Sequence, residues 1–178
     1  MATFVALLRG INVGGKNLIK MPALKAAFEA DGFEHVTTYI QSGNVLFSSG
    51  NRSAELTRRI EKMLAEAFDY VPTVVVRSRT QMRAIVDRAP KGFGADPAKY
   101  RYNVFFLKQP LTAKAAMRSI DTKPGVDEAY AGTGVLYFTY LTSKATQSRI
   151  SRVAGSPIYA SITIRNWNTT TKLLGLMG

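Results

Sequence analysis

Blocks of apolar residues with two different spacings alternate along the first half of the chain. Thr3–Arg9 is apolar on both faces, which predicts a buried strand. Leu24 and Phe28 lie four residues apart after Pro22, and this spacing predicts a helix that ends at Gly32. By the same reasoning we expect strands at Glu34–Ile40, Val45–Phe47 and Thr73–Ser78. We expect two further helices, one that is capped by Ser53 and lies in a segment ended by Pro72, and one at Gln81–Ala89.

The second half of the chain repeats this order of elements after a segment punctuated by proline and glycine, Pro90–Tyr100. The order β-α-β-β-α-β is that of the ferredoxin-like, or split βαβ, arrangement. We therefore predict an α+β fold of two tandem ferredoxin-like βαββαβ units, each with a trailing helix. The first unit covers residues 1–89, residues 90–100 form a linker, and the second unit covers residues 101–178. Its elements are expected as strands at Tyr102–Leu107, Asp127–Ala131, Val135–Tyr140 and Ala160–Ile164, a short helix capped by Thr112, a polar helix at Lys144–Ala154, and a last helix opening at Asn166 or its neighbour.

The net charge of +12 arises from 24 Lys and Arg against 12 Asp and Glu in a chain of 178 residues. A field of this sign favours polyanionic partners such as nucleic acid or nucleotides, and a merely basic surface is the alternative. There are no cysteines, which excludes disulfides and thiolate metal sites and fits a reducing compartment. The apolar runs are only strand-length and the N-terminus lacks a secretion signal, so we expect a cytoplasmic protein with no membrane partner.

One polar stretch near the N-terminus, LRGINVGGKN (Leu8 to Asn17), directly follows the first predicted strand. In the predicted topology this loop and the turn QSGN, Gln41–Asn44, lie at the same end of the first unit. Glycine amides and the N-terminus of the following helix can receive an anion there. We therefore predict a ligand-binding site made of Arg9, Asn12, Gly14, Gly15, Lys16, Asn17, Lys20, Gln41, Ser42 and Asn44.

Two alternatives compete with anion binding at this loop. Its spacing matches the first part of a P-loop, but Asn17 stands where that motif needs Ser or Thr as a magnesium ligand, so the loop is not a nucleotide P-loop. The other alternative, equally compatible with the composition, is a purely structural loop. In that case the glycines allow tight turns and the asparagines bond the loop's own backbone.

Residues suited to catalysis or metal binding are scarce. His35 is the single histidine, no paired carboxylates are predicted, and the sequence offers no cluster of metal ligands. We therefore predict no catalytic residue and no metal site, and no cofactor is implied. The segment RNWN contains Asn166, Trp167 and Asn168. Trp167 either stacks on a planar ligand or docks the last helix onto the core, and we favour the second interpretation, with an asparagine as helix cap.

Three ordered blocks, ALLRGINVGGKN, YIQSGNVLF and ITIRNWNTTTKLL, resemble the bacterial family known as domain of unknown function 1697. The resemblance covers nearly the whole chain and implies a small α+β protein with ferredoxin-like halves. It implies no activity. Our leading hypothesis is a module that binds a phosphate-bearing small molecule at the loop after the first strand. Non-specific nucleic-acid binding is the second hypothesis, and an enzyme that uses the same loop is the third.

Overall fold

The computed structural model describes residues 1–69 and 73–178. Within these ranges the chain divides into two compact units, one made of Met1–Arg83 with Leu173–Gly178 and the other of Ala84–Lys172. Each unit contains one four-stranded antiparallel sheet with helices, so the protein belongs to the α+β class. Pro72, predicted to end the segment of the second helix, lies outside the described residues. The predicted boundaries at residues 89 and 101 stay a prediction.

The first unit alternates strands and helices in the predicted order. Its sheet has the strand order β2-β3-β1-β4, and every neighbouring pair of strands is antiparallel. The elements are β1 (Ala2–Arg9), α1 (Met21–Ala30), β2 (Glu34–Tyr39), β3 (Asn44–Ser49), α2 (Ser53–Ala67) and β4 (Thr73–Ser78); α3 (Arg79–Asp87) follows, and its residues after Arg83 belong to the other unit.

Apolar side chains of α1 and α2 form the core of the first unit together with the sheet. Leu24 and Phe28 of α1 and Leu56 and Ile60 of α2 are all fully buried, as their helical spacing predicts. The rings of Phe28 and Phe47 of β3 lie 5.7 Å apart. Burial of each such side chain contributes about 1.5–3 kcal/mol, so this packing fixes both helices on one face of the sheet.

The helix ends follow the sequence signals in part. Gly32 adopts a φ of +86° just after α1, the left-handed conformation expected of a terminating glycine. Thr112 caps its helix as predicted, because its Oγ1 accepts a hydrogen bond from the Ala115 N–H at 3.2 Å. The prediction that Ser53 caps α2 is wrong: Ser53 is the first helical residue, and Arg52 occupies the cap position with no side-chain hydrogen bond.

The second unit has the same strand order, β6-β7-β5-β8, again with antiparallel neighbours. Phe105 and Phe138, stacked with ring centroids 5.3 Å apart, lie in its core. The elements are β5 (Tyr100–Leu107), α4 (Ala113–Ser119), β6 (Asp127–Ala131), β7 (Val135–Leu141), three 3₁₀ helices (Thr142–Gln147, Arg149–Gly155 and Tyr159–Ser161) and β8 (Ile162–Asn166); α5 (Trp167–Leu176) follows, and its residues from Leu173 on belong to the first unit.

The predicted polar helix Lys144–Ala154 is wrong in type. The structure has two 3₁₀ helices there, separated by Ser148, whose backbone is extended (φ −61°, ψ 140°). Ser148 is buried, and its hydroxyl donates to the carboxylate of Asp127 on β6. A hydrogen bond from a residue 21 positions away therefore holds the backbone out of the helical conformation that the local sequence favours.

Of the predicted linker, residues 90–100, residues 91–94 and 97–99 form two turns, and Tyr100 already belongs to β5. Phe93 in this segment packs edge-on against Tyr102 of β5 and Tyr137 of β7, with ring centroids 4.9 and 5.4 Å apart. The segment thus contributes side chains to the second unit. None of the helices in the described ranges combines the length and the apolar character needed to cross a bilayer.

Candidate functional site

The loop between β1 and α1, residues 10–20, contains a tight turn and is called the glycine loop below. The Lys16 N–H donates to the Val13 carbonyl oxygen at 3.0 Å, and these two residues form an isolated antiparallel bridge. Gly14 and Gly15 occupy the corner with φ of +59° and +73°. Two consecutive positive φ values are those of a type I′ turn, a conformation that glycine accepts without strain.

Asn12 joins the glycine loop to the turn Gln41–Asn44. Its Oδ1 accepts a hydrogen bond from the Ile19 N–H at 2.8 Å, while its Nδ2 donates to the carbonyl oxygens of Ile19 and Gln41, each at 2.9 Å. The structure therefore brings together the two polar segments, which the chain path between β1 and β3 places at one end of the sheet. The side-chain amide of Asn12 is used in holding them there.

The other asparagines of the candidate site also bond the protein's own backbone. Asn17 Nδ2 donates to the Gly10 carbonyl oxygen at 3.0 Å. Asn44 is fully buried, and its Nδ2 donates to the Tyr39 carbonyl oxygen at 2.9 Å and to Ser42 Oγ at 3.1 Å. The three asparagines thus have the purely structural role that the sequence offered as the alternative to ligand binding. They form the frame of the site.

Donors and cations are exposed on this frame. Within the described part of the chain the amides of Gly14 and Gly15 donate no hydrogen bond. Lys16 and Lys20 are exposed, and so are Gln41 and Ser42. Arg9, at the end of β1, is partly buried and donates through Nη2 to Thr73 Oγ1 at 3.5 Å.

The surroundings of these donors carry no negative charge from the neighbouring sequence. Residues 1–28 and 41–52 contain no Asp or Glu. Lys20 stands at the cap position of α1 without a side-chain cap, and the first turn of that helix has no acidic residue. The partial positive charge of the helix N-terminus is therefore not offset by a local carboxylate.

Three large apolar side chains are exposed beside the Asn12 hydrogen bonds. Val13 follows Asn12, Leu18 precedes Ile19 and Ile40 precedes Gln41, with 65, 75 and 48% of their surface exposed. Ile40 has a φ of +49°, which is rare for a β-branched residue. Exposed apolar groups next to lysines and glycine amides give this end of the unit an amphipathic surface.

The RNWN segment serves the second unit as a helix start. Asn166 Oδ1 accepts a hydrogen bond from the Thr169 N–H at 2.7 Å, the bond expected of a helix cap. Trp167 is partly buried and packs perpendicular to Phe93, with ring centroids 5.0 Å apart. Asn168 is exposed on the first turn of α5. These contacts support the helix-capping interpretation for Asn166 and Trp167.

The sequence interpretation missed a cleft in the second unit, which we call the tyrosine cleft. It is lined by Lys91, Phe93, Tyr100, Tyr102, Glu128 and Tyr130, with Thr139 at its floor. The available signal was the alternation Glu128-x-Tyr130 in one predicted strand, because residues two apart lie on one face of a strand. The prediction places Tyr100 in the linker, whereas the structure begins β5 at Tyr100 and so puts it on the same face as Tyr102.

Metal ligation has no candidate in the part of the chain that the structure describes, because no three His, Asp or Glu side chains cluster there.

Comparison with known proteins identifies one family and a solved structure, and neither description states an activity. A family model described as "protein of unknown function (DUF1697)" matches residues 1–137. The solved structure of the conserved bacterial protein SP0830 from Streptococcus pneumoniae superposes with a TM-score of 0.85 and 26% sequence identity, covering 99% of this chain and 98% of that one. No curated protein matches the chain.

Proposed function

The chain belongs to the DUF1697 family of proteins of unknown function, and we propose that it binds a phosphate-bearing small molecule at the glycine loop. The observation that carries the proposal is the pair of unbonded amides at Gly14 and Gly15, held in position by the hydrogen bonds of Asn12. Consecutive backbone N–H groups at a glycine turn are a common means of binding phosphate oxygens.

The charge around the loop supports an anionic ligand. Lys16 follows the two glycines directly, and Lys20 stands at the start of α1. With no acidic residue in residues 1–28 or 41–52, no carboxylate from these segments competes with the ligand for the two ammonium groups. An anion at this position also interacts favourably with the N-terminus of α1.

The roles within the site differ from those expected from sequence. Because their amides bond the protein backbone, Asn12, Asn17 and Asn44 maintain the shape of the site and do not orient the ligand. The ligand contacts are assigned to the exposed groups: the amides of Gly14 and Gly15, the side chains of Lys16, Lys20, Gln41 and Ser42, and Arg9 at the edge.

The exposed apolar residues narrow the ligand class. Val13 and Leu18 lie on the same loop as the two lysines and face solvent over most of their surface. A bare inorganic anion would leave the apolar surface of Val13 and Leu18 exposed to water. An organic phosphate, whose carbon skeleton covers Val13 and Leu18 while its phosphate binds the amides, removes apolar surface from water and binds more tightly for that reason.

The test is calorimetric titration of the whole protein with inorganic phosphate, pyrophosphate, sugar phosphates and nucleotides. We expect the double variant Lys16→Gln/Lys20→Gln to bind an active ligand at least about tenfold more weakly, about 1.4 kcal/mol. The matched control is Lys114→Gln/Lys144→Gln, which removes the same charge from two exposed positions in the other unit. Equal weakening in both variants, or no heat from any phosphate, would refute the proposal.

Nucleic acid is the second candidate, and the net charge of +12 is the observation that favours it. Binding through dispersed charge releases counterions, so affinity for a short oligonucleotide should fall steeply between about 50 and 200 mM salt. In that case both double-lysine variants lose affinity to the same extent. A loss confined to Lys16→Gln/Lys20→Gln places the polyanion at the glycine loop instead.

For the architecture, we propose two tandem ferredoxin-like units, each with its trailing helix. Both sheets have the strand order of that arrangement, and a matched pair of arginines supports the duplication. Arg77 of β4 lies opposite Val5 of β1, and Arg165 of β8 lies opposite Val104 of β5. Each guanidinium donates through Nη1 to the carbonyl oxygen of the residue before it, at 3.0 and 2.9 Å, and burial lowers the pKa of each to about 10.

A further inference from the structure

The tyrosine cleft of the second unit is separate from the glycine loop in sequence and in chemistry. It has a volume of about 180 Å³ and lies between the turns of residues 90–93 and one face of strands β5, β7 and β6. All its lining residues belong to the unit Ala84–Lys172. A cavity of about 150 Å³ accepts a benzene-sized molecule, so this cleft is large enough for one small organic group.

The strand register places the polar and aromatic side chains of the cleft on one face of the sheet. Tyr102 of β5 lies opposite Thr139 of β7, which in turn lies opposite Glu128 of β6. Tyr100 and Tyr130 are each two residues from a member of this row, so their side chains are on the same face. Three phenol rings and one carboxylate therefore border a single space.

Other contacts hold the aromatic walls in place before any ligand binds. Phe93 packs edge-on against Tyr102 with ring centroids 4.9 Å apart, and it also packs against Trp167 at 5.0 Å. The Asp96 N–H donates to the hydroxyl oxygen of Tyr102 at 3.0 Å. Rings held in this way need little reordering on binding, which lowers the entropic cost.

The angles between the ring planes indicate whether the cleft suits a flat ligand or a rounded one. The planes of Phe93 and Tyr102 meet at 66°, and those of Tyr100 and Tyr102 at 49°. A flat heterocycle stacks best between parallel walls, which these rings do not form. Rings inclined to one another present faces and edges to a rounded group from several directions, as in the aromatic cages that bind alkylated ammonium ions.

Glu128 supplies the negative charge among the residues that line the cleft. Glu128 accepts a hydrogen bond from the Tyr130 hydroxyl at 2.5 Å; this bond, with burial and the neighbouring Glu128 and Tyr100, raises the pKa of Tyr130. The phenol therefore keeps its proton and donates it to the Glu128 carboxylate. The Lys99 ammonium lies 5.3 Å from the centroid of the Tyr100 ring, and its charge, like that of Lys91, opposes a bound cation.

We propose that the tyrosine cleft binds an organic ammonium group of trimethylammonium size, with the rings of Tyr100, Tyr102 and Tyr130 around the cation and the Glu128 carboxylate as its counter-charge. Lys91, the basic residue among the lining side chains, is exposed on the turn. Its charge opposes the ligand's, so its long side chain extends toward solvent when the site is occupied. The proposal does not depend on the function assigned to the glycine loop.

The experiment compares choline with 3,3-dimethylbutan-1-ol, which has the same shape without the charge, by calorimetry on the full chain. We expect choline to bind and the neutral alcohol to bind at least about fivefold more weakly, as cation–π attraction requires. Two charge variants act in opposite directions: Glu128→Gln weakens choline binding, and Lys91→Ala leaves it unchanged or tightens it. Far-ultraviolet circular dichroism confirms that each variant remains folded.

Three results would overturn the proposal. One is the absence of heat from choline at about 10 mM, a concentration at which a millimolar Kd is detectable. Another is equal affinity for the neutral alcohol, which would make the cleft an ordinary apolar cavity. The third is weakening by Lys91→Ala with no effect of Glu128→Gln, since that pattern identifies an anion site. Lys16→Gln/Lys20→Gln should leave choline binding unchanged, which separates this site from the glycine loop.

Discussion

The Ser148 hydroxyl donates to Asp127 Oδ1 across 2.5 Å, inside the second unit, where both residues are buried. The other carboxylate oxygen of Asp127 accepts from the backbone N–H groups of Lys123 and Arg149, both at 2.9 Å. One carboxylate thus joins the start of β6 to the segment before it and to the break between the first two 3₁₀ helices. A buried carboxyl group needs hydrogen bonds in place of the water that it has lost, and here three donors supply them.

We predict that Asp127→Asn lowers the free energy of unfolding by about 1–2 kcal/mol, because only one of the two terminal Asn side-chain atoms can accept a hydrogen bond, and bonds to a neutral amide are weaker than bonds to a carboxylate. Urea unfolding measures the change. Asp121→Asn is the control: Asp121 is exposed, and Arg149 and Arg152, which lower its pKa, bond it at the surface. An equally large loss in the free energy of unfolding for Asp121→Asn would contradict the stabilising role assigned to the buried Asp127 carboxylate.

Asn12→Ala removes three side-chain hydrogen bonds, two to Ile19 within the glycine loop and one to the carbonyl oxygen of Gln41. We expect a loss of about 1–3 kcal/mol in the free energy of unfolding. Hydrogen exchange of the Ile19 amide should also accelerate, because its acceptor is gone. The comparison variant is Asn51→Ala, whose exposed side-chain amide makes two long hydrogen bonds: Oδ1 accepts from Ser49 Oγ at 3.3 Å and Nδ2 donates to Glu55 at 3.4 Å. Unchanged exchange at Ile19 would show that the loop holds its shape without Asn12.

Gly43→Ala tests the close packing beneath the turn Gln41–Asn44. A Cβ at Gly43 would lie 2.6 Å from Ile11 Cδ1 and 3.0 Å from Leu8 Cβ, and the residue has a φ of +88°. Overpacking and left-handed strain together should cost about 2–4 kcal/mol. Gly50→Ala, where the Cβ meets open space at ordinary φ, should change the urea midpoint little. Equal midpoints for the two variants would show that the backbone relaxes freely around Gly43.

The pH dependence of stability should change in Tyr137→Phe. Burial raises the pKa of Tyr137 to about 12, against a smaller opposing effect of Arg88, and its hydroxyl donates to the Ile85 carbonyl oxygen at 2.5 Å. Between the ordinary pKa near 10 and about 12, the unfolded phenol loses its proton while the folded one keeps it. The folded state then binds more protons, so the stabilisation by Tyr137 is complete below pH 10 and is lost as the pH rises.

The expected result for Tyr137→Phe is a loss of about 1–2 kcal/mol at pH 8, from the missing hydrogen bond. Above pH 10 the difference from wild type should narrow by up to about 1.4 kcal/mol per pH unit. Guanidinium unfolding of both proteins at a series of pH values measures this difference in the free energy of unfolding. A difference that stays constant up to pH 12 would mean that Tyr137 titrates equally in both states.

The elements that were predicted well are those whose signal is local. Leu24 and Phe28 of α1 mark one helical face by their spacing alone, and the apolar run of β1 needs no partner to be recognised as a buried strand. The segment around Ser148 was not predictable in this way, because Asp127 lies 21 residues earlier and competes with the local backbone for its donors.

In the candidate site, too, some features could be predicted from the local sequence and others depended on contacts between distant residues. Composition and chain order were enough to expect the glycine loop beside Gln41–Asn44, since both connections leave the same end of the sheet. Composition could not show whether the side-chain amide of Asn12 bonds a ligand or the protein itself. The two possibilities differ only by a few ångströms in the position of that amide relative to Gln41. The tyrosine cleft depends still more on pairing, since Tyr102 and Glu128 meet only across β7.

The sequence by itself determined the α+β class, the positions of most helices and strands, the positive charge and the polar loop, because each depends on spacing or composition within about 15 residues. Only the tertiary structure decided which polar groups are consumed by the fold and which face solvent. The reason is that a hydrogen bond or a ring contact depends on distances between residues far apart in the chain, and those distances exist only after the sheets have paired and the core has packed.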